Sequence, residues 1–250
     1  MQKNAQDENF NVQDASSENR VRLVLLPGLA ADERMYVGVR EALEKAPLDI
    51  SCELVTPRLL VPNAGENMEA YAHRTAQALN VQEDDIIGGC SFGSMVASAI
   101  ATQFAVRALV LLSGALDSSA LGRSARFLNR FAPFIPFPLL QRVLASDWFL
   151  RSIFGEANPQ DINLGRAMLL DTPEQAIRRG GLLAATCEQL NPLSVPVHAL
   201  HGADDRVICP PKADHCKLVP HAGHGMVVSH PHEVAEFLLQ TTQRIVESEN

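Results

Sequence analysis

The sequence contains no apolar run of the roughly 18 residues that a membrane-spanning helix needs. It also lacks an excess of positive charge, since 21 lysines and arginines are outnumbered by 29 aspartates and glutamates. The resulting net charge of −8 disfavours nucleic acid as a partner, because nucleic-acid binding rewards basic surfaces. Five cysteines, an odd number without framework spacing, favour reduced thiols over a disulfide scaffold. The polar first twenty residues lack the apolar core of a secretory signal, so we expect a cytoplasmic protein.

Short apolar runs alternate with helical patterns along most of the chain. Continuous apolar runs are typical of parallel strands that are buried on both faces. The alternation predicts an α/β fold, with a mostly parallel sheet and helices on both of its faces. Strands are predicted at Val21–Leu26, Ile50–Val55, Asp85–Cys90, Ala108–Leu112, Val195–Leu200 and Cys216–Val219.

The alternation stops between residues 115 and 192, a stretch with six of the ten phenylalanines and the only tryptophan. We interpret this stretch as a helical lid, inserted into a core made of residues 21–114 and 193–250 and preceded by a flexible tail at 1–20. Phe131, Phe134 and Trp148 are candidate pocket residues, because ligand pockets have apolar walls. Two other interpretations remain open: the aromatic side chains only attach the lid to the core, or they dock on a membrane surface.

The segment from Thr172 to Gln175 predicts the start of one lid helix. Thr172 would be the N-terminal cap, with proline at the first helical position and glutamine closing a capping box.

One short segment, Ile86 to Met95, places a serine at a turn. Its apolar run stops at two glycines, Ser91 stands between Gly89 and Gly93, and a helical pattern begins at once. This is typical of a nucleophile on a tight strand-to-helix turn, which pushes the hydroxyl out of the sheet. The pattern predicts that Ser91 requires a base, an acid and an anion-binding loop elsewhere in the chain.

Three further motifs follow other predicted strands. They are Pro27-Gly28-Leu29, His201-Gly202-x-x-Asp205 and Ala222-Gly223-His224. Together with the serine turn, these motifs resemble the α/β-hydrolase superfamily over roughly residues 21 to 246, in the family's order of Ser, Asp and His. The polar N-terminus leaves little room for the family's first hairpin, so we expect six to seven strands.

The resemblance implies acyl transfer by a serine esterase or thioesterase. Ser91 would be the nucleophile, His224 the base and Asp205 the acid, with the backbone N–H groups of Leu29 and Phe92 as the oxyanion hole. The expected substrate is a small ester or thioester with an apolar part, cleaved without a cofactor or metal. A lyase or haloperoxidase-like enzyme on the same fold, or a ligand-binding relative with little turnover, is the alternative.

Several rivals to these assignments stay open. His221 competes with His224, and Asp204 and Asp117 compete with Asp205. Cys90 is interpreted as a packed thiol beside the serine. The loop departs from the family pattern, because Pro27 stands where a histidine usually braces it. A metal site is disfavoured, since these residues lack the spacing of ligand pairs: Cys209, His215, Cys216 and His221.

Overall fold

The computed structural model describes residues 20–46, 51–122, 134–188, 192–210 and 216–248. Within these ranges six strands form one sheet in the order β2-β1-β3-β4-β5-β6, and every neighbouring pair is parallel. The strands are β1 (Arg20–Leu26), β2 (Ser51–Val55), β3 (Ile86–Cys90), β4 (Ala108–Leu112), β5 (Val197–Gly202) and β6 (Cys216–Val219). The predicted parallel α/β sheet is therefore confirmed, with strand ends that differ by up to two residues.

Helices connect the strands and cover the sheet. They are α1 (Val37–Lys45), α2 (Met68–Leu79), α3 (Phe92–Ala101), α4 (Phe137–Leu144), α5 (Asp147–Phe154), α6 (Pro159–Asp171), α7 (Glu174–Thr186), α8 (Met226–Ser229) and α9 (Pro231–Glu247). A 3-10 helix, Glu33–Tyr36, precedes α1, and its N-terminus is capped by the side chain of Asp32, which accepts from the Arg34 N–H. No helix in the described ranges is long and apolar enough to span a bilayer.

The central strands are buried because helices pack against both faces of the sheet. Every residue of β3 and β4 is buried. Tyr36 and Phe237, with helices α1 and α9, belong to the apolar cluster on one face. Tyr71 and Met95, with α2 and α3, belong to the cluster on the other face. The continuous apolar runs in the sequence thus reflect burial on both sides.

Helices α4 to α7 all lie between β4 and β5, inside the stretch interpreted as a lid. The predicted capping of α7 by Thr172 is wrong. Thr172 is the residue after α6, and its hydroxyl donates to the carbonyl oxygen of Met168. α7 begins at Glu174, one residue later than predicted, so Pro173 and not Thr172 is the residue before it, and no side chain caps that helix.

Candidate active site

Ser91 lies on a strained turn between β3 and α3. Its φ of 53° and ψ of −117° fall in a region that residues with side chains rarely adopt. The turn is possible because the chain approaches itself closely at both flanking glycines. A Cβ at Gly89 would lie 2.6 Å from the Leu26 carbonyl oxygen, and one at Gly93 would lie 2.3 Å from it. Because both residues are glycines, the turn can pack directly against the end of β1.

The turns after β5 and β6 are joined by backbone hydrogen bonds. The N–H of Ala203 donates to Val219 at 2.9 Å, and the N–H of Asp204 donates to Ala222 at 2.9 Å. A Cβ at Gly202 would lie 2.4 Å from the Ala222 carbonyl oxygen, so only glycine permits this approach. The two turns bring Asp205 close to the histidine that follows β6, at the carboxyl end of the parallel strands.

Ser91, His224 and Asp205 form a continuous chain of contacts. The Ser91 Oγ lies 2.8 Å from Nε2 of His224, and Nδ1 of His224 lies 2.8 Å from Oδ2 of Asp205. A carboxylate at Nδ1 requires the proton on that nitrogen, so Nε2 is free to accept the serine proton. The structure therefore brings together the three side chains that the sequence singles out.

The Asp205 carboxylate is fully buried and accepts several hydrogen bonds. Its Oδ1 accepts from the backbone N–H of Val207 at 2.8 Å and of Ile208 at 3.1 Å. Burial raises the pKa of Asp205, but the charge of His224 and hydrogen bonds from His201 and His224 outweigh it and hold the pKa well below its ordinary value. Asp205 is therefore ionised at neutral pH and can stabilise an imidazolium at His224.

The loop after β1 lies beside the serine. A Cβ at Gly28 would be 3.6 Å from the Cβ of Ser91. The Leu29 N–H donates no hydrogen bond within the part of the chain that the structure describes. Phe92 is the first residue of α3, so its N–H has no partner inside the helix. Both candidate oxyanion donors are thus available to a ligand.

Tyr36 stabilises the start of this loop through a hydrogen bond. Its buried hydroxyl donates to the Leu26 carbonyl oxygen at 2.8 Å, directly before Pro27. The Ala31 N–H closes the loop by donating to Gly28 at 3.2 Å. These contacts brace a loop that lacks the usual histidine at position 27.

A cavity of about 110 Å³ opens beside the loop. Its apolar walls include Leu29, Leu59, Leu60, Tyr71, Phe92 and Ala176, and its polar side includes Asp32, Arg58, Asp171 and Thr172. Ser91 and His224 do not line it, so Leu29 and Phe92 are the residues that connect the cavity with the two candidate N–H donors.

Two of the three aromatic residues that the sequence marks as pocket candidates lie elsewhere. Phe134 and Trp148 do not line this cavity, and their side chains are 84% and 76% exposed. Helix α5 is amphipathic and turns Leu150 and Phe154 inward, which leaves Trp148 on the opposite, solvent-facing side. Phe131 lies outside the described residues.

An ion-pair network lies at the polar side of the cavity. Arg34 contacts Asp32 at 2.6 Å and Asp171 at 2.8 Å, so it connects the loop after β1 with the end of α6. Burial raises the pKa of Asp32, but hydrogen bonds and charge from Arg34, with a contribution from Arg58, lower it overall. The network fixes the cavity rim where core and inserted helices meet.

The rival residues have other environments. His221 and Asp204 are exposed, and Asp117 caps a 3-10 turn by accepting the Ser119 N–H at 2.8 Å. The Cys90 thiol is buried, as expected of a packed side chain, and burial and the charge of Asp205 raise its pKa well above the ordinary value. It is therefore protonated and unsuited to nucleophilic attack.

Metal-ligating side chains do not converge in the described ranges. No group of three or more His, Cys, Asp or Glu residues there is arranged to hold an ion. His215, one of the four residues considered from the sequence, lies outside those ranges.

Comparison with known proteins decides the family. The model of the alpha/beta hydrolase family matches residues 23–237, which is most of the chain. The protein belongs to the alpha/beta hydrolase family. This confirms the resemblance carried by the four motifs. No curated protein has a matching sequence.

Solved structures of other alpha/beta hydrolases share the fold. A thermophilic esterase from Thermogutta terrifontis is 20% identical, with 90% of each chain covered and a TM-score of 0.68. The esterase EaEST from Exiguobacterium antarcticum is 16% identical, with 89% of this chain and 92% of that chain covered and a TM-score of 0.70. A hydrolase from Pseudomonas aeruginosa is 21% identical, with 88% and 89% covered and a TM-score of 0.67. At these identities the likeness shows the fold alone.

The roles of two residues of this alpha/beta hydrolase site could not be predicted from the sequence. Tyr36 braces the loop through its hydroxyl, and His201 contacts Asp205 with its ring. Tyr36 is one apolar position in a helical pattern, so nothing marks its hydroxyl. His201 does stand in the quoted motif, four residues before Asp205, but the motif does not show where its ring points.

Proposed function

We propose that the protein is a serine hydrolase that cleaves small carboxylic esters or thioesters through an acyl-enzyme intermediate. The observation that carries this proposal is the Ser91–His224–Asp205 chain, with both links at 2.8 Å. A serine hydroxyl is a weak nucleophile until a base removes its proton, and the buried carboxylate orients that base. The esterases among the structural neighbours agree with this proposal without deciding it.

In the proposed reaction, Ser91 Oγ attacks the carbonyl carbon while its proton passes to Nε2 of His224. The carbonyl oxygen gains the negative charge and accepts hydrogen bonds from the N–H groups of Leu29 and Phe92. The C–O or C–S bond then breaks, and His224 gives its proton to the leaving alcohol or thiol. Water, deprotonated by His224, attacks the acyl-enzyme, and the acid leaves as the Ser91 hydroxyl is restored.

The cavity that Leu29 and Phe92 line favours a small apolar group in the substrate. Its volume of about 110 Å³ is below the roughly 150 Å³ of an apolar cavity that holds benzene. Apolar walls around Leu29 and Phe92 favour a hydrocarbon group there. We therefore infer a preference for short chains, such as acetyl and butyryl, over decanoyl.

A series of p-nitrophenyl esters and matching thioesters, from acetyl to decanoyl, tests the proposal. We expect hydrolysis to be fastest for short chains and to be lost in Ser91→Ala. Ser98→Ala is the matched control, because Ser98 lies on the same helix, α3, but away from the turn. Equal hydrolysis by the parent and Ser91→Ala would overturn the proposal.

A fluorophosphonate probe separates the site from the substrate. Rapid labelling that mass spectrometry maps to Ser91 supports an activated serine. Labelling without hydrolysis of any ester in the series would support Ser91 as the nucleophile but refute the proposed substrate class. Absence of labelling in the folded protein would refute both.

A further inference from the structure

A second imidazole lies behind the carboxylate of Asp205. His201 is at the end of β5 and is fully buried. Its Nε2 lies 3.0 Å from Oδ2 of Asp205 and 3.0 Å from the carbonyl oxygen of Ile208. The same carboxylate oxygen also contacts Nδ1 of His224 at 2.8 Å. Oδ2 therefore has an imidazole nitrogen on each of two sides.

The surroundings of His201 determine which of its nitrogens carries the proton. Both neighbours of Nε2, a carboxylate and a carbonyl oxygen, are acceptors, so Nε2 is the donor, and its single N–H is shared between the Ile208 carbonyl oxygen and Oδ2 of Asp205. Its Nδ1 is buried and has no hydrogen-bond partner within the described residues. A second proton on Nδ1 would bury a charged N–H without an acceptor, which is costly. The ring is therefore the neutral Nε2–H form.

We propose that His201 is a positioning residue of the hydrolase, whose Nε2–H holds Oδ2 of Asp205 in place and reduces the negative charge that His224 meets. This inference rests on the proposed function. The two backbone N–H groups, from Val207 and Ile208, fix only the other carboxylate oxygen. His201 is thus the side chain that fixes the oxygen facing His224.

Loss of the contact between His201 and Asp205 should shift the pH profile in one direction. Without the His201 N–H, Oδ2 concentrates its charge on His224 and favours the imidazolium, which cannot accept the serine proton. The acid limb of the kcat/KM profile then moves to higher pH. The ionisable groups that act on the Asp205 carboxylate, within the described ranges, are His224, His201 and the Cys90 thiol. The thiol stays protonated in this pH range, so it does not produce the shift.

Two substitutions test the proposal with p-nitrophenyl butyrate as substrate. His201→Leu removes the donor, and we expect kcat to fall about tenfold with little change in KM, since the geometry of the base is loosened. We also expect the acid limb to move up by about half a pH unit to one unit. His201→Gln keeps an N–H donor and should restore most of both. His198→Gln is the control, because His198 faces the opposite side of the same strand.

An unshifted acid limb in a folded His201→Leu protein would overturn the proposal, as would the same shift in the His198→Gln control. If His201→Leu does not fold, the parent protein decides the matter through imidazole ¹⁵N resonances, assigned by comparison with His201→Gln. Protonated Nε2 and unprotonated Nδ1 at neutral pH support the proposal, whereas an Nδ1–H tautomer or an imidazolium refutes it. This readout needs no ester turnover, so it is independent of a failure of the proposed function.

Discussion

Replacing Asp205 by asparagine keeps the shape of the side chain and removes its charge. Oδ1 accepts two backbone N–H groups, from Val207 and Ile208, and Oδ2 lies between the ring nitrogens of His224 and His201. All four neighbours are donors. Asparagine has one acceptor oxygen and one NH₂ group. At one of the two positions, therefore, two donors must face the NH₂ group, which is itself a donor.

The cost to activity follows from the tautomer of His224. An asparagine NH₂ at the Oδ2 position makes Nδ1 the acceptor and moves the ring proton to Nε2, where it points at Ser91. The ring then cannot take the serine proton, and the equivalent change in a serine-protease triad lowers kcat by about 10⁴, or ~5.5 kcal/mol of barrier. We expect a similar loss in kcat. The change in KM should be small, because Asp205 does not line the cavity.

Steady-state hydrolysis of p-nitrophenyl butyrate measures this loss. Asp204→Asn is the matched control, since it makes the same change at the neighbouring, exposed position. Circular dichroism should show that both variants are folded. Activity of Asp205→Asn within tenfold of the parent would refute the assignment of Asp205 as the acid of the triad.

The same variant should change how stability depends on pH. Because the pKa of Asp205 is lower in the folded state, its ionisation stabilises the fold above the ordinary aspartate pKa of about 3.9. That stabilisation is lost as the pH falls from this value towards the lower folded pKa. Urea unfolding should therefore show a difference between parent and Asp205→Asn that is largest near neutral pH and shrinks in acid. A constant difference would contradict the lowered pKa.

Three further predictions concern the surroundings of the site. Gly93→Ala places a Cβ 2.3 Å from a backbone oxygen at the end of β1 and should cost about 1–3 kcal/mol of unfolding free energy, measured by urea denaturation. Gly180→Val, on α7, would meet the side-chain end of Leu29, since a Cβ there lies 2.6 Å from it, and should lower the ratio of butyryl to acetyl ester hydrolysis. Iodoacetamide should modify the exposed Cys209 of the native protein and spare Cys90, without loss of ester hydrolysis; modification of native Cys90 would contradict its burial.

The sheet was predictable from sequence because its strands are buried on both faces. Ile86–Cys90 and Ala108–Leu112 have no solvent-facing residues, so neither segment contains a charged side chain or the polar positions of a helical pattern. The position of Ser91 was predictable for a related reason. Only glycine fits at the two flanking positions, so the sequence shows the tight turn, whereas its contact partner Leu26 is known only from the structure.

The cavity was not predictable from the same pattern. The inserted helices are amphipathic, and in such helices an aromatic residue can fall on either face without changing composition. Trp148 lies on the outward face of α5, whereas the walls of the cavity come from the loop after β1, Tyr71 of α2 and Ala176 of α7, far apart in sequence. Aromatic content marked the inserted stretch but not the direction of its side chains.

The position of the His201 side chain could not be predicted from its motif. The motif places it four residues before Asp205, which in an extended strand would carry its side chain well away from the carboxylate. The chain instead turns back after Gly202, because that glycine lets the backbone approach Ala222. The turn brings Nε2 to within 3.0 Å of Oδ2. The role of His201 thus depends on the path of the turn, and the path depends on a contact with residues twenty positions further along the chain.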